Sequence, residues 1–128
     1  MNIVLLTTDL MLGSSAQGIV DRAGVALAMA ADAAEAVSAC RSGQAAALVI
    51  DLRMPGLDLP VLVSNCRTAS PGAKIAAFGP HVHTLSLAAA AEAGCDDVFT
   101  RGEFDRRLAA LVSALTARQA DRGDRRPV

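Results

Sequence analysis

Apolar runs and helical patterns alternate along this chain. Residues 2–7, Asn-Ile-Val-Leu-Leu-Thr, read as a buried strand. A helix is predicted over 11–23, with Leu12, Ala16, Ile19, Val20 and Ala23 on one face. Gly13 and Gly18 weaken it, and Gly24 ends it. Val25 to Met29 make a short strand, and Asp32 caps a helix through Gly43 with Ala33, Ala36, Val37 and Cys40 turned inward. The run 47–51 is a central strand, and a third helix spans about Asp58 to Ala69, with Pro60 tolerated in its first turn. After the turn Ser70-Pro71-Gly72 come a strand over Lys74–Phe78, a stop at Gly79-Pro80, and a helix over Thr84–Ala93 stopped by Gly94. Asp97 to Thr100 form a fifth strand. The last helix runs from Glu103 to about Arg118, and Phe104, Leu108, Leu111, Val112 and Leu115 make it the clearest amphipathic segment. Residues 120–128 hold no core positions and are expected to form a flexible tail on a domain of residues 1–119.

Five strand–helix units in succession imply an α/β fold, a single parallel sheet with helices on both faces. The count suits the doubly wound, flavodoxin-like strand order 2-1-3-4-5.

Composition narrows the classes. The 128 residues are 52% hydrophobic but only 2% aromatic, with no Trp or Tyr, so the core is built from Leu, Val, Ile and Ala. A net charge of −1 and the lack of a basic, aromatic-bearing patch argue against nucleic acid as a partner. Cys40, Cys66 and Cys95 lie far apart without metal-ligand spacing and read as small buried hydrophobes in a reduced, cytoplasmic setting. There is no signal-peptide pattern and no run long enough to span a membrane.

The chemistry concentrates in Ala46-Ala47-Leu48-Val49-Ile50-Asp51-Leu52-Arg53-Met54-Pro55-Gly56-Leu57-Asp58. A buried strand stops at an acid, a Pro-Gly turn follows, and Asp58 stands at a helix N-cap. An acid at the carboxyl end of a central strand faces the ligand crevice of an open α/β sheet. The stretch Asp51 to Asp58 resembles the loop after the third strand of response-regulator receiver domains: an Asp, two variable residues, Met-Pro, two more, then Asp-Gly. Leu59 replaces the final Gly. The resemblance covers residues 2 to about 118. It extends to Ala93-Gly94-Cys95-Asp96-Asp97-Val98-Phe99-Thr100-Arg101, which is similar to the run around that family's fifth strand.

The resemblance implies a signalling domain of two-component phosphorelay type rather than an enzyme. Asp51 would be the phosphoacceptor, and a histidine kinase or other signalling protein the partner. It also implies Mg²⁺, held by Asp9, Asp51 and the backbone carbonyl of Arg53, with Arg101 as a phosphate-contacting substitute for the family's Lys. The family places two adjacent acids after its first strand, where this chain has Thr7-Thr8-Asp9. It places a hydroxyl at the end of its fourth strand, where this chain has Gly79. These departures leave the metal and switch site incomplete, so a phosphorylation-independent interaction module, a pseudo-receiver, is the alternative.

His81, His83 and Thr84 lie in a loop expected to rim the same crevice, with His81 placed to shield or pair with Asp51. The Ala-rich helix from Leu85 to Ala93, with Arg106 and Arg107, marks a possible homodimer face through the last two helices. A flavodoxin-like binder of nucleotide or flavin is disfavoured, because Thr7-Thr8-Asp9-Leu10-Met11-Leu12-Gly13 is neither a Walker A loop nor a dinucleotide fingerprint. The chain shows no output domain, so action by docking, or as one piece of a longer regulator, is expected.

Overall fold

The computed structural model describes residues 1–124. Its elements follow in the order β1 (Asn2–Leu6), α1 (Leu10–Arg22), β2 (Ala26–Ala30), α2 (Ala33–Gly43), β3 (Ala47–Asp51), α3 (Leu59–Ala69), β4 (Lys74–Gly79), α4 (Thr84–Glu92), β5 (Asp97–Thr100) and α5 (Phe104–Asp124), with one 3₁₀ turn at Arg101–Glu103 leading into α5. The strands make one parallel sheet in the order β2-β1-β3-β4-β5, as the alternation of patterns predicts.

Side-chain alternation along the strands divides the core. Ile3, Leu5, Ala47, Val49, Ala76 and Phe78 face α1 and α5. Val4, Leu6, Leu48, Ile50, Ile75 and Ala77 face the side of α2, α3 and α4. Every residue of β3 is buried, as befits a strand covered on both faces. The three phenylalanines stand together, with Phe78 centred 4.8 Å from Phe104 and 5.8 Å from Phe99.

Helix starts follow local chemistry. Asp9, Asp32 and Asp58 are N-caps whose carboxylates accept from the backbone N–H of Leu12, Glu35 and Val61. Gly94 follows α4 at φ +100, a conformation that favours glycine.

The structure shifts several boundaries, among them β2 to Ala26–Ala30 and β4 to Lys74–Gly79. Strand β1 ends at Leu6, so Thr7 lies in the connection to α1, although its N–H still donates to the Ala30 carbonyl at 3.0 Å. Helix α5 does not stop near Arg118 but continues through Asp124. Its first half packs into the core through Phe104, Leu108, Val112 and Leu115, and Ala117 to Ala120 are good helix formers with no stop signal among them. The rest of the expected tail, residues 125–128, lies outside the described residues. Among the described residues no helix is long and apolar enough to cross a membrane.

Candidate functional site

β1 and β3 are neighbours, but their crossover helices leave in opposite directions along the sheet, since β2 lies beyond β1 and β4 beyond β3. Their carboxyl ends therefore open a crevice. A pocket of about 190 Å³ sits there, lined by Thr8, Asp9, Asp51, Arg53 and Met54.

Asp51 is its chemical centre, and it is only 6% exposed. Both carboxylate oxygens are engaged. Thr7 Oγ1 donates to Oδ2 at 2.7 Å, and the Arg53 backbone N–H donates to Oδ1 at 2.9 Å. The Thr7 hydroxyl in turn accepts from the Asp9 N–H at 3.1 Å. Thr7 is itself 2% exposed. A chain of bonds thus runs from the first turn of α1 through Thr7 to the end of β3, and each buried polar group in it has a partner. Below the acid, Leu52 N–H donates to the Phe78 carbonyl at 2.9 Å and Met54 N–H to the Asp51 carbonyl at 3.1 Å. These two bonds fix the turn that aims Asp51 into the pocket.

The structure brings Asp9, Asp51 and Arg53 together around one pocket. It places the other candidates elsewhere. Arg101 lies with its guanidinium 5.7 Å from the Phe104 ring centre, a cation–π contact, and does not line the pocket. His81, His83 and Thr84 are exposed and do not line it either, so the loop does not shield Asp51. His83 occupies the N-cap of α4 without a side-chain capping bond. At Gly79 an added Cβ would lie 3.4 Å from Leu52 Cβ and 3.9 Å from Leu87 Cδ2, so two leucines neighbour the place of the family's hydroxyl. Arg106 and Arg107 pair within their own protomer, with Glu103 and Asp97 respectively.

Sequence reasoning missed Thr7 as a partner of Asp51. The signal was its place directly after the strand that neighbours β3, where the backbone delivers a side chain to the same crevice.

No protein-family model matches the sequence, and a search of curated proteins finds no match. Solved structures do match. The receiver domain of the TMAO respiratory system response regulator TorR superposes with a TM-score of 0.78 at 19% identity, over 91% of this chain and 97% of that one. A two-component response regulator from Clostridium difficile gives 0.77 at 18% identity, over 93% and 98%. The chain has the receiver fold. A third receiver of this shape, that of the sensor histidine kinase PA1611 from Pseudomonas aeruginosa PAO1, matches at 0.69 and 19% identity over 88% and 97%, and that protein has magnesium coordinated in its active-site cleft.

The residues here can be tested against such an ion. Magnesium demands near-octahedral oxygen donors, prefers charged ones and dehydrates reluctantly. The two residues that directly follow β1 are the neutral Thr7 and Thr8. Asp9 spends Oδ1 on the Leu12 N–H at 3.1 Å, and both oxygens of Asp51 already accept hydrogen bonds. The Arg53 side chain adds a positive charge to the same loop. Among the described residues, no group of three or more His, Cys, Asp or Glu stands together to hold a metal ion. This donor set does not fit magnesium.

Proposed function

We propose that this chain is a receiver-like signalling module that works by protein contact without phosphoryl transfer. Asp51, at the acceptor position, acts as a buried anchor for the crevice. The carrying observation is the Thr7–Asp51 hydrogen bond. An acceptor carboxylate needs a free oxygen in line with phosphorus and cations to take up the transferred charge. Here the Thr7 hydroxyl competes for Asp51 Oδ2, the residue at the end of β4 is Gly79 with no hydroxyl, and Arg101 rests on Phe104.

The surface supports recognition by contact. Leu10, Met11, Val61, Val82 and Leu85 are between 52% and 86% exposed, and all follow the carboxyl ends of β1, β3 and β4. Exposed apolar side chains at the end of the sheet that carries the crevice are available to a protein partner. The partner in this reading is a cytoplasmic signalling protein, a histidine kinase among them.

The test has two parts. Incubation with acetyl phosphate and Mg²⁺, followed by intact mass, is expected to leave the mass unchanged. An adduct that disappears in Asp51→Asn overturns the proposal. For a captured partner, the dissociation constant is expected to stay the same with and without beryllofluoride and Mg²⁺. A tenfold change, about 1.4 kcal/mol, that vanishes in Asp51→Asn would restore the phosphoryl switch, because a ligand bound equally by two states shifts neither.

A further inference from the structure

The two edges of the sheet are protected unequally. At one edge, β5 has only four residues, and its Asp97 pairs with Arg107 of α5. Short length and charge discourage further strand pairing there. At the other edge, β2 reads Ala-Leu-Ala-Met-Ala and holds no charge and no proline. Ala26 is exposed, Met29 is 43% exposed, and Leu27 and Ala28 are half-buried. Two bonds fix the direction of its backbone groups. Ala26 N–H donates to the Met1 carbonyl at 3.3 Å, and Thr7 N–H donates to the Ala30 carbonyl at 3.0 Å. Ala26 and Ala30 therefore point toward β1, and so does Ala28, because direction alternates along a strand. Leu27 and Met29 point their N–H and C=O groups away from the sheet. Among the described residues no strand lies on that side.

Charge beside this edge selects what can cover it. The Met29 side chain lies against Gly13 of α1, so Gly13, Gln17 and Asp21, spaced four apart, form the stripe of α1 next to β2. Gln17 Nε2 donates to Asp21 Oδ1 at 2.7 Å along that stripe. Asp21 thus stands near the amino end of β2. Arg22 turns its Nε to the Gly18 carbonyl, on the next stripe of the helix. At the carboxyl end of β2, the Glu35 carboxylate accepts from the Ala31 N–H at 2.8 Å, and Asp32 caps α2. Carboxylates therefore flank both ends of the free edge. Two copies joined antiparallel through β2 would set Asp21 of one against Asp32 and Glu35 of the other, which like-charge repulsion disfavours. A strand with cations at its ends gains attraction at both.

We propose that the outer edge of β2 takes up an extended segment of a partner protein by strand addition, a segment apolar at its centre and basic at both ends. The backbone groups of Leu27 and Met29 make the hydrogen bonds, and Asp21, Asp32 and Glu35 receive the basic ends. β2 spans five residues, about 16 Å, so the two cations are about five residues apart. On the α2 side, incoming side chains meet Ala26 and Ala28, whose methyl groups leave room for Leu, Val or Ile. On the α1 side they meet Met29, whose flexible thioether adapts to varied shapes. None of these residues lines the Asp51 pocket, and the inference does not rest on the reading of Asp51.

The test uses the whole chain, isotopically labelled for amide NMR, and the end-blocked peptide Lys-Leu-Thr-Val-Leu-Lys. As peptide is added, the Leu27 and Met29 amides are expected to shift and to exchange their hydrogens more slowly, while exchange at Ala26 and Ala28 stays as it was. The same peptide with Glu in place of both Lys is expected not to bind. Asp21→Asn combined with Glu35→Gln is expected to bind the lysine peptide about fivefold more weakly, two exposed ion pairs being lost. Met29→Pro deletes one outward N–H and leaves the bonds to β1 in place, so the folded variant is expected not to bind. Should that variant fail to fold, the two peptides and the carboxylate variant decide the matter. The proposal is overturned if the lysine peptide leaves Leu27 and Met29 unchanged, if the Glu peptide binds as well, or if folded Met29→Pro binds like wild type. A dimer in sedimentation whose Leu27 and Met29 amides are protected without peptide also overturns it, because a second copy then fills the edge.

Discussion

Thr7 Oγ1 lies 2.7 Å from Asp51 Oδ2 and donates its proton to it, across the gap between the two central strands. The bond ties the chain after β1 to the end of β3. It satisfies a carboxylate that would otherwise stand buried with a bare oxygen.

Thr7→Val keeps the shape of the side chain and deletes the hydroxyl. It leaves Asp51 Oδ2 and the Asp9 N–H without their partner. The expected loss is about 2 kcal/mol of stability, read from the urea midpoint at unchanged slope. Asp51→Asn is expected to cost less, under about 1 kcal/mol, because the Thr7 hydroxyl can turn to accept from the amide. Equal losses in the two variants would show that the bond is not what holds this corner.

Restoring acids after β1 is expected to create a metal requirement. Thr7→Asp combined with Thr8→Asp adds two carboxylates to those of Asp9 and Asp51 at one crevice, and the repulsion among the four lowers the melting temperature in a chelator. Adding Mg²⁺ is expected to raise it again. The wild-type melting curve is expected to be the same in Mg²⁺ and in chelator. A wild-type curve that shifts upward with Mg²⁺ would contradict the donor argument.

Glu103 carries a pH-dependent contribution. The backbone N–H and the hydroxyl of Thr100 both donate to Oε1 at 3.0 Å and hold the carboxyl below its ordinary value of 4.5, with Arg107 and Arg106 assisting. Because the folded pKa is the lower one, the unfolded chain binds more protons between the two values, and stability there rises with pH. The contribution is full above the ordinary value and is lost as pH falls through the folded one. Glu103→Gln is therefore expected to flatten the acid limb of the stability curve and leave its neutral region nearly level. An acid limb identical to wild type would remove Glu103 from the account.

Gly79→Ala is expected to stabilise the chain by about 0.5 kcal/mol through a less flexible unfolded state. Its Cβ meets Leu52 and Leu87 at 3.4 to 3.9 Å, ordinary contact distances. Thermal denaturation reads the change. A loss of about 1 kcal/mol or more would mean that the backbone here needs glycine.

Much of this molecule follows from local chemistry. The five strands, the caps at Asp32 and Asp58, the stop at Gly94 and the inward stripe of α5 depend on neighbours within a few positions, so periodicity and capping residues reveal them. The pocket's place at the ends of β1 and β3 follows from the order of the units, and Asp51 is visible as the acid that interrupts an apolar run. What Asp51 does there is not local. Its partner Thr7 is 44 positions away and reaches it only because β1 pairs with β3 in register, Leu6 against Ile50. Arg101 and the histidines looked equally eligible in one dimension. The sheet sends Arg101 to the Phe104 ring and leaves His81 and His83 in solvent. Cys40 and Cys66, unremarkable by spacing, share one apolar cluster because α2 and α3 lie on one face of the sheet. Sequence patterns record which face a residue takes, because burial repeats with the period of its own element. Which two side chains touch depends on strand register and helix packing, and those are settled only when distant segments close on one another.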